Sequence, residues 1–332
     1  MNTIEIVKYD DSFYKAWDHF VMEDSVNGTF LQTRNFLSYH PAERFIDHSY
    51  VFLDNKKNII AVCPACIDST DGIKVLYSHK GSTFGGIIIS KKIYKNASRV
   101  IELIQLLEKA TKDDGFDKII LKITPALFSH EHPDLLEYSL YYLGYQEYDE
   151  LNLYIDYANY KENVVSNYEQ GKRTHVNRCI KEGMVLRGLS DENEITHFYK
   201  LLCMTLSKYD LKPVHSLTEL MDFKDNRLTE ECGFWGAFIR DELVAGSMMF
   251  YFRNVGVAHA QYISATLDYD KLSPSTFMYH CMIDEMRKLG FDKLSFGISS
   301  EHTGKILNYG LTSSKEAYGA KHDVNRIFTK NL

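Results

Sequence analysis

The chain has 332 residues, of which 45% are hydrophobic and 25% charged, with a formal net charge of −7. This length predicts about two ordinary domains, and the negative charge excludes a general DNA-binding protein, which carries a basic footprint. No run approaches the roughly 18 apolar residues that span a bilayer, and the N-terminal MNTIEIVKYDD lacks a signal-peptide core. We therefore expect a cytoplasmic protein with no transmembrane segment.

The six cysteines are scattered among hydrophobic runs, which is typical of reduced, buried thiols. Only Cys63 and Cys66 form a CxxC pair, and no second pair of ligands accompanies them. We predict no metal site.

The first half alternates helical and extended patterns. The pattern predicts helices at Ser12–Asp24, Thr29–Tyr39 and Ser98–Asp114, and strands at Tyr50–Leu53, Asn58–Ile67, Ile73–Ser78, Ile87–Ser90 and Phe116–Ile123. A glycine-rich loop, SHKGSTFGG, covers Ser78–Gly86.

The second half shows a similar alternation. The pattern predicts one or two helices in Asn163–Gly183, a strand at Met184–Leu189, a helix at Glu192–Tyr209 capped by Ser190 or Asp191, and a helix opened by the capping box Ser216–Glu219. It then predicts strands at Asp241–Arg253 and Val255–Asp268, a helix at Ser273–Gly290, a strand at Phe291–Ser299, a helix at Ser300–Leu311, and two final strands in Ser313–Leu332.

A short repeat links the two halves. Gly115-Phe-Asp-Lys118 recurs as Gly290-Phe-Asp-Lys293, each time after an amphipathic helix and before a strand. The order of the surrounding elements is also shared, so the sequence predicts two copies of one mixed α/β unit.

The helix after the strand HAQYIS begins at a junction typical of anion sites. Ser273 is positioned to cap it and Pro274 fits its first position. The buried stripe is predicted to comprise Met278, Met282, Met286 and Leu289. Free amides at the start of such a helix attract anions, so we expect an anion site here.

Several stretches resemble the GNAT superfamily and, over the whole chain, its FemAB-like tandem branch. They are SHKGSTFGG, PVHSLTEL (213–220), HAQYI (259–263) and NYGLTSSKEAYGA (308–320). The resemblance implies an α/β fold with mixed sheets, formed by two tandem GNAT-like domains packed side by side, at residues 1–160 and 161–332.

The resemblance further implies that the second domain binds acyl-coenzyme A. The cofactor-binding residues it implies are Gln261, Tyr262, Ile263, Lys271, Ser273, Ser275, Thr276 and Asn308. One departure is that GNAT domains usually carry a Q/RxxGxG/A loop where this chain has YDKLSPST, and the missing glycines restrict how closely backbone can wrap a pyrophosphate.

The chemistry expected of such a site is attack of a neutral amine on a thioester, which needs a base and a proton donor for the leaving thiolate. His215 and His79 are the leading base candidates, with His175 and His259 as alternatives. Tyr309 or Tyr318 could donate the proton.

The resemblance is closest to enzymes that acylate nucleotide-linked amino sugars, so the expected acceptor is a nucleotide-activated deoxyamino sugar used for surface polysaccharide. The predicted substrate-binding residues are Lys80, Phe84, Arg173, His175 and Lys315, with Lys172, Arg178 and Tyr77 as further candidates. Cations would hold its diphosphate and an aromatic ring its base.

Two alternatives stay open. One is a transfer-RNA-dependent ligase, which the acidic balance and the lack of a long heptad run in residues 163–233 disfavour. The other is a non-catalytic scaffold. The sequence does not indicate an oligomeric state.

Overall fold

The computed structural model describes residues 3–70, 72–208, 210–269 and 271–332. Two compact units are formed, one by the chain up to Glu150 together with Val324–Leu332, the other by Leu151–Asp323. The boundary predicted at residue 160 thus lies within the second unit. No helix in the described ranges is long and apolar enough to cross a membrane.

The helices and strands alternate along both units. The α-helices are α1 (Tyr14–His19), α2 (Arg34–Leu37), α3 (Ala97–Asp113), α4 (Asp134–Tyr142), α5 (Gln170–Lys181), α6 (Glu192–Ser207), α7 (Leu217–Asp222), α8 (Pro274–Lys288) and α9 (Tyr309–Glu316). The strands are β1 (Glu5–Lys8), β2 (Ile46–Asp47), β3 (Tyr50–Leu53), β4 (Ile59–Cys63), β5 (Cys66–Thr70), β6 (Ile73–Ser78), β7 (Ile88–Ile89), β8 (Lys118–Lys122), β9 (Gln146–Asp156), β10 (Val185–Gly188), β11 (Cys232–Ile239), β12 (Glu242–Phe252), β13 (Val257–Ala265), β14 (Lys293–Ile298), β15 (Ser300–Glu301), β16 (Ile306–Leu307) and β17 (Lys321–Asn331).

The first unit contains a four-stranded antiparallel sheet, β1-β3-β4-β7, and a second strand set in the order β17-β8-β6-β5-β2. Within the second set only β6 and β8 are parallel, and α3 connects them. The buried face of α3, which includes Leu103 and Leu107, packs into the core of this unit.

The second unit has the strand order β10-β11-β12-β13-β14-β9, in which only β13 and β14 are parallel. Helix α8 connects this parallel pair, and Met278, Met282 and Met286 on α8 are fully buried, as predicted. The fourth residue of the predicted stripe, Leu289, is 43% exposed because the helix has already ended there.

The GFDK repeat has the same structural role in both units. Gly115 and Gly290 both have positive φ and end a helix, and the following phenylalanine N–H bonds back to the last turn. Lys118 and Lys293 then enter the parallel strands β8 and β14. The prediction of two copies of one mixed α/β unit is therefore confirmed.

Some predicted elements were wrong. The strand Asn58–Ile67 is divided into β4 and β5 around Pro64, because proline cannot donate a ladder hydrogen bond. The segment Ser300–Leu311 begins as the β15–β16 hairpin, and Ser313–Leu332 contains the end of α9 and one strand, not two. Segment Thr29–Tyr39 is a 3₁₀ turn followed by the short α2.

The predicted end of α6, Tyr209, lies outside the described residues. Of its two candidate caps, Asp191 is the one that accepts hydrogen bonds from the first-turn N–H groups.

Candidate functional site

A wedge opens between the two parallel strands of the second unit. Strands β13 and β14 pair only from Val257 with Lys293 to His259 with Ser295. Both strands continue beyond this point, β13 to Ala265 and β14 to Ile298. On the β14 side the N–H of Gly297 donates to Ser295 and the carbonyls of Gly297 and Ile298 accept from Lys315. The edge at which a ligand could insert beyond His259 is therefore that of β13.

A β-bulge lies at the start of the wedge. Met248 pairs with Tyr262 and the next residue, Met249, pairs with Ala260, which leaves Gln261 as the extra residue of β13. A bulge redirects backbone amides, as expected of a site that polarises a carbonyl. Three predicted cofactor-binding residues, Gln261, Tyr262 and Ile263, follow one another along this part of β13.

The start of helix α8 offers fewer amides than the sequence predicted. Ser273 has φ +56° and makes no side-chain cap, and its hydroxyl lies 2.8 Å from that of Thr276. The N–H groups of Thr276 and Phe277 both bond to the Ser273 carbonyl, and Pro274 has no N–H. Among the described residues, the predicted row of open amides in this first turn is therefore reduced to the N–H of Ser275.

Cations on helix α5 lie close to this junction. The guanidinium of Arg178 donates to the carbonyl of Lys271 at 2.8 Å, and the thiol of the buried Cys179 approaches the Leu272 carbonyl at 2.8 Å. Arg173 is exposed on the same helix and His175 is half-buried. The structure thus places the guanidinium of Arg178 against the backbone of Lys271, just before the start of α8.

His215 and Tyr262 contact each other, although 46 residues separate them in the chain. Nδ1 of His215 lies 2.7 Å from the phenol oxygen of Tyr262, and His215 is 4% exposed. The capping box Ser216–Glu219 predicted after His215 is present and fixes the entry into α7. Burial raises the pKa of Tyr262 to about 12, so its phenol stays protonated near neutral pH.

A buried polar cluster lies where β13 and β14 separate. His259 Nδ1 lies 3.1 Å from Ser295 Oγ, and that hydroxyl donates to Asn152 at 3.2 Å. The amide nitrogen of Asn152 is buried without a hydrogen-bond partner among the described residues. Burial, assisted by the charge of Lys315, lowers the pKa of His259 to about 4, so this imidazole is neutral at physiological pH.

Lys315 is the cation of this cluster, and it is 2% exposed. Its Nζ donates to the carbonyls of Gly297 and Ile298 and to the hydroxyl of Ser299, each at 2.9 Å. Burial lowers its pKa to about 7. The sequence predicted Lys315 as a substrate-binding residue, whereas in the structure its amino group contacts the end of β14.

The sequence did not single out Ser295 or Asn152 as site residues. Both are small polar residues within strand patterns, and only the register of β9 with β14 brings them together. The sequence signal that could have identified Ser295 and Asn152 is a polar residue at a strand position predicted to be buried.

Two further predicted residues lie at the beginning of α9. The side chain of Asn308 accepts a hydrogen bond from Leu311 N–H at 3.0 Å and donates to Glu301 at 2.9 Å, so it is the N-cap of α9. Tyr309 is 76% exposed, whereas Tyr318 is fully buried with its hydroxyl 3.3 Å from the Thr276 carbonyl. The fold therefore does not fix the Tyr309 ring against the rest of the second unit.

Predicted residues of the first unit lie in or beside the loop Ser78–Gly86. His79 is 2% exposed, accepts a hydrogen bond from Gly81 N–H at 3.0 Å, and has its pKa lowered to about 4 by burial. Lys80 forms an ion pair with Asp68 at 2.6 Å. Phe84 cannot stack on a nucleobase as predicted, because its ring is 1% exposed and packs against Phe128.

The parallel pair of the first unit has no comparable wedge. Strands β6 and β8 pair over four residues, and the chain then returns so that Gly85 bridges Ile123 next to them. A Cβ on Gly85 would lie 2.8 Å from the Ser78 carbonyl oxygen, and one on Gly86 would lie 2.9 Å from the Ile123 Cα. The first unit thus continues its parallel pair with its own backbone at the place where the ladder of the second unit ends.

Comparison with known proteins gives a domain match over part of the chain and fold matches over most of it. Residues 178–304 match the family model described as acetyltransferase (GNAT) domain. Comparison with the curated proteins gives no match.

Three solved structures are similar over nearly the whole chain. The crystal structure of FemX is 12% identical with a TM-score of 0.70, and the match covers 99% of this chain and 97% of FemX. L-PGS from Bacillus licheniformis is 10% identical with a TM-score of 0.59, covering 91% and 92%. A tandem GNAT protein from the clavulanic acid biosynthesis pathway is 8% identical with a TM-score of 0.55, covering 99% and 98%.

The matched GNAT segment contains the bulge, the wedge and the start of α8. The chain therefore has a tandem GNAT fold, and residues 178–304 of its second unit are similar to the GNAT acetyltransferase domain.

Proposed function

We propose that the protein is an N-acyltransferase that moves an acyl group from a coenzyme A thioester to the amine of a nucleotide-linked deoxyamino sugar. The observation that carries the proposal is the wedge between β13 and β14, with the Gln261 bulge at its start. In the described residues of the first unit, the bridge of Gly85 to Ile123 occupies the place that corresponds to this wedge. The acyl donor is therefore assigned to the second unit.

In the proposed reaction the amine nitrogen attacks the thioester carbonyl carbon, and the carbon–sulfur bond then breaks. The amine must first lose a proton to a base, and the sulfur leaves as a thiolate that takes up a proton. Backbone N–H groups at the Gln261 bulge would stabilise the negative charge that develops on the carbonyl oxygen. The products are an amide and free coenzyme A.

His215 is the base we propose for this step. Its contact with the neutral phenol of Tyr262 orients the imidazole, and Tyr262 itself adjoins the bulge. His259 is less suited, because burial keeps its pKa near 4 and Ser295 already engages it. We propose that Tyr309 donates the proton to the leaving thiolate. Its ring is exposed to solvent, so it can reorient toward the bound acyl donor.

We propose that Lys315 supports the site without contacting substrate. Its three hydrogen bonds hold the irregular end of β14, where Gly297 has φ +73°. This keeps the β14 side of the wedge in place. The cluster of His259, Ser295 and Asn152 occupies the apex of the wedge and separates it from the apolar core.

The phosphates of the donor are assigned to side chains. In the part of the chain that the structure describes, the start of α8 has one N–H without a partner. Lys271, Arg178 and the hydroxyl of Ser275 would therefore replace the backbone loop that GNAT domains usually carry. Arg173, exposed on α5, remains the proposed contact of the second unit for the acceptor diphosphate.

The test is release of free thiol from acetyl-CoA and longer acyl-CoAs in the presence of dTDP- and UDP-linked amino sugars. We expect thiol release that requires the free amine, and none with the matching hydroxy sugar. No release with any donor and acceptor would count heavily against the proposal. If no thiol is released, thermal unfolding with coenzyme A distinguishes two explanations. A raised melting temperature indicates a functional donor site tested with the wrong acceptor, and an unchanged one indicates a non-catalytic scaffold.

A second candidate is transfer of an aminoacyl group from charged transfer RNA. The small number of open N–H groups at the start of α8 favours this candidate. Charged transfer RNA, unlike coenzyme A, does not need a backbone loop that binds a pyrophosphate at this position. Against it, the helices of residues 163–233 that the structure describes have at most 16 residues, so they form no long helical arm. A gel shift with charged transfer RNA at physiological salt distinguishes the two donors.

A further inference from the structure

The bottom of the wedge, where the pairing of β13 with β14 ends, is closed on both faces of the sheet. Side chains alternate between the two faces along a strand. Ala258 and Phe296 belong to the core that contains the methionines of α8. Their neighbours His259 and Ser295 therefore point to the opposite face. Core side chains close the α8 side of the gap, and the imidazole of His259 closes the other.

The ring of His259 reaches from β13 across the gap to β14. Its Nδ1 lies 3.1 Å from the Ser295 hydroxyl, and a Cβ on Gly297 would lie 3.4 Å from its Cε1. Because Gly297 has no side chain, the ring lies directly against the strand. Gly297 follows Ser295, the last residue of β14 that pairs with β13. The imidazole therefore covers the point at which the two strands separate.

The hydroxyl of Ser295 fixes the ring in this orientation. It accepts a hydrogen bond from the Gly297 N–H at 3.2 Å and donates its single hydrogen to Asn152 at 3.2 Å. Its contact with His259 must then use the remaining lone pair of the hydroxyl, so Nδ1 carries a hydrogen and donates it. The lowered pKa of His259 agrees with a neutral ring in this tautomer.

The strand on which the ring rests is held in place as well. The amino group of Lys315 donates to the carbonyls of Gly297 and Ile298, each at 2.9 Å. On its other side β14 pairs with β9, from which Asn152 contacts the Ser295 hydroxyl. A ligand that enters the wedge therefore meets a ring supported by three strands, which resists displacement.

The room above the ring is short. The Gln261 bulge, where the thioester carbonyl is proposed to lie, is two residues from His259 on β13. Two residues of a strand extend roughly 7 Å. A carbon atom in contact with the ring stays about 4 Å from it, which leaves about 3 Å. This distance accommodates one or two carbon–carbon bonds of about 1.5 Å each.

We propose that His259 limits the length of the acyl group that the protein transfers. The inference rests on the proposed function, because it requires the acyl group to enter the wedge at the Gln261 bulge. Acetyl and propionyl groups then fit above the ring, whereas longer straight chains do not. His259 is thus a specificity-determining residue that contacts the end of the acyl group, and this role is separate from that of the base.

The test is calorimetric titration of the full chain with coenzyme A and with hexanoyl-CoA, which needs no acceptor. In the natural chain the hexanoyl group is excluded from the wedge, so the two should bind with closely similar affinity. His259→Ala opens the bottom of the wedge, and burial of methylenes should then make hexanoyl-CoA bind at least about tenfold more tightly than coenzyme A. The affinity for coenzyme A itself should not change. His197→Ala alters an exposed histidine of α6 and is the control, which should behave as the natural chain.

Ser295→Ala is a second variant, which removes the hydroxyl that holds the ring and keeps the imidazole. It should give a smaller gain for hexanoyl-CoA in the same direction, and circular dichroism verifies that each variant folds. Hexanoyl-CoA that binds the natural chain at least about tenfold more tightly than coenzyme A overturns the inference. The absence of a gain in His259→Ala, or in Ser295→Ala where His259→Ala does not fold, overturns it as well. If neither coenzyme A nor hexanoyl-CoA binds, the proposed function itself is overturned, which distinguishes the two failures.

Discussion

The phenol oxygen of Tyr262 lies 2.7 Å from Nδ1 of His215, and this contact joins the bulged strand β13 to the loop before α7. If His215 is the base, His215→Gln should lower kcat about 10²–10⁴-fold, because a positioned general base contributes that much. The measurement is thiol release from acyl-CoA as a function of pH. We expect the limb of the pH profile that reports the base to be lost.

Tyr262→Phe is the companion variant, which keeps the ring and removes the hydroxyl. It should lower kcat less than His215→Gln and leave the base limb of the profile in place, since it affects only the orientation of the imidazole. Thermal unfolding controls for damage to the fold. Equal losses in the two variants with unchanged pH profiles would contradict a base role for His215.

The lowered pKa of buried Lys315 predicts that the stability of the protein depends on pH. Its pKa is lowered from 10.5 to about 7 in the folded protein by burial, so between these values the unfolded chain binds a proton that the native chain does not. Stability therefore increases with pH across this window. Relative to Lys315→Met, the free energy of unfolding of the natural chain should rise from about pH 7 to pH 10.5.

Urea unfolding at several pH values gives this difference directly. Exposed Lys305 is the matched control, and Lys305→Met should show no such trend between pH 7 and pH 10.5. The free energy of unfolding of the natural chain relative to Lys315→Met could instead stay constant from pH 7 to pH 10.5. That result would show that Lys315 is protonated throughout.

Arg178 should bind the donor through its guanidinium, which is placed by the 2.8 Å hydrogen bond to the Lys271 carbonyl. Arg178→Ala should weaken coenzyme A binding about tenfold, in keeping with loss of a charge-assisted contact of about 1.5 kcal/mol. Calorimetric titration measures the change. Lys181→Ala, at the exposed end of the same helix, should leave the affinity unchanged, and an equal loss in both would indicate only a general effect of charge.

Gly85 and Gly86 should be required for the closed parallel pair of the first unit. Gly86 has φ +78° and lies against Ile123, so Gly86→Ala should destabilise the chain by about 2 kcal/mol or more. Gly171→Ala is the control, since a Cβ on Gly171 would meet nothing within 4 Å. Because Gly171 is only the second residue of α5, this change should alter stability by less than about 0.5 kcal/mol. Urea denaturation that showed no loss in Gly86→Ala would mean that the loop is not packed as described.

The repeat and the helix–strand alternation could be predicted because they depend on local patterns. Gly115 and Gly290 end helices through their own backbone freedom, and the methionines of α8 recur at helical spacing. The cluster at the apex of the wedge could not be predicted. Asn152 and Ser295 are 143 residues apart in the chain and meet only because their strands pair. The cap at Ser273 failed because a left-handed backbone conformation turned its hydroxyl toward Thr276.

The helix predicted at Ser300–Leu311 was placed too early in the chain. Asn308 caps helix α9, which therefore begins at Tyr309 and runs on through Glu316 into the segment predicted as a strand. Lys315 and Glu316 in that segment are helix-forming residues that the strand prediction overlooked.

The most direct measurement is a crystal structure of the protein with coenzyme A. The account predicts that the thiol lies in the wedge between β13 and β14 beside the Gln261 bulge, with the phosphates next to Arg178 and Lys271. Coenzyme A bound at the first unit, or a wedge that stays closed to it at saturating concentration, would contradict the assignment of the acyl donor to the second unit.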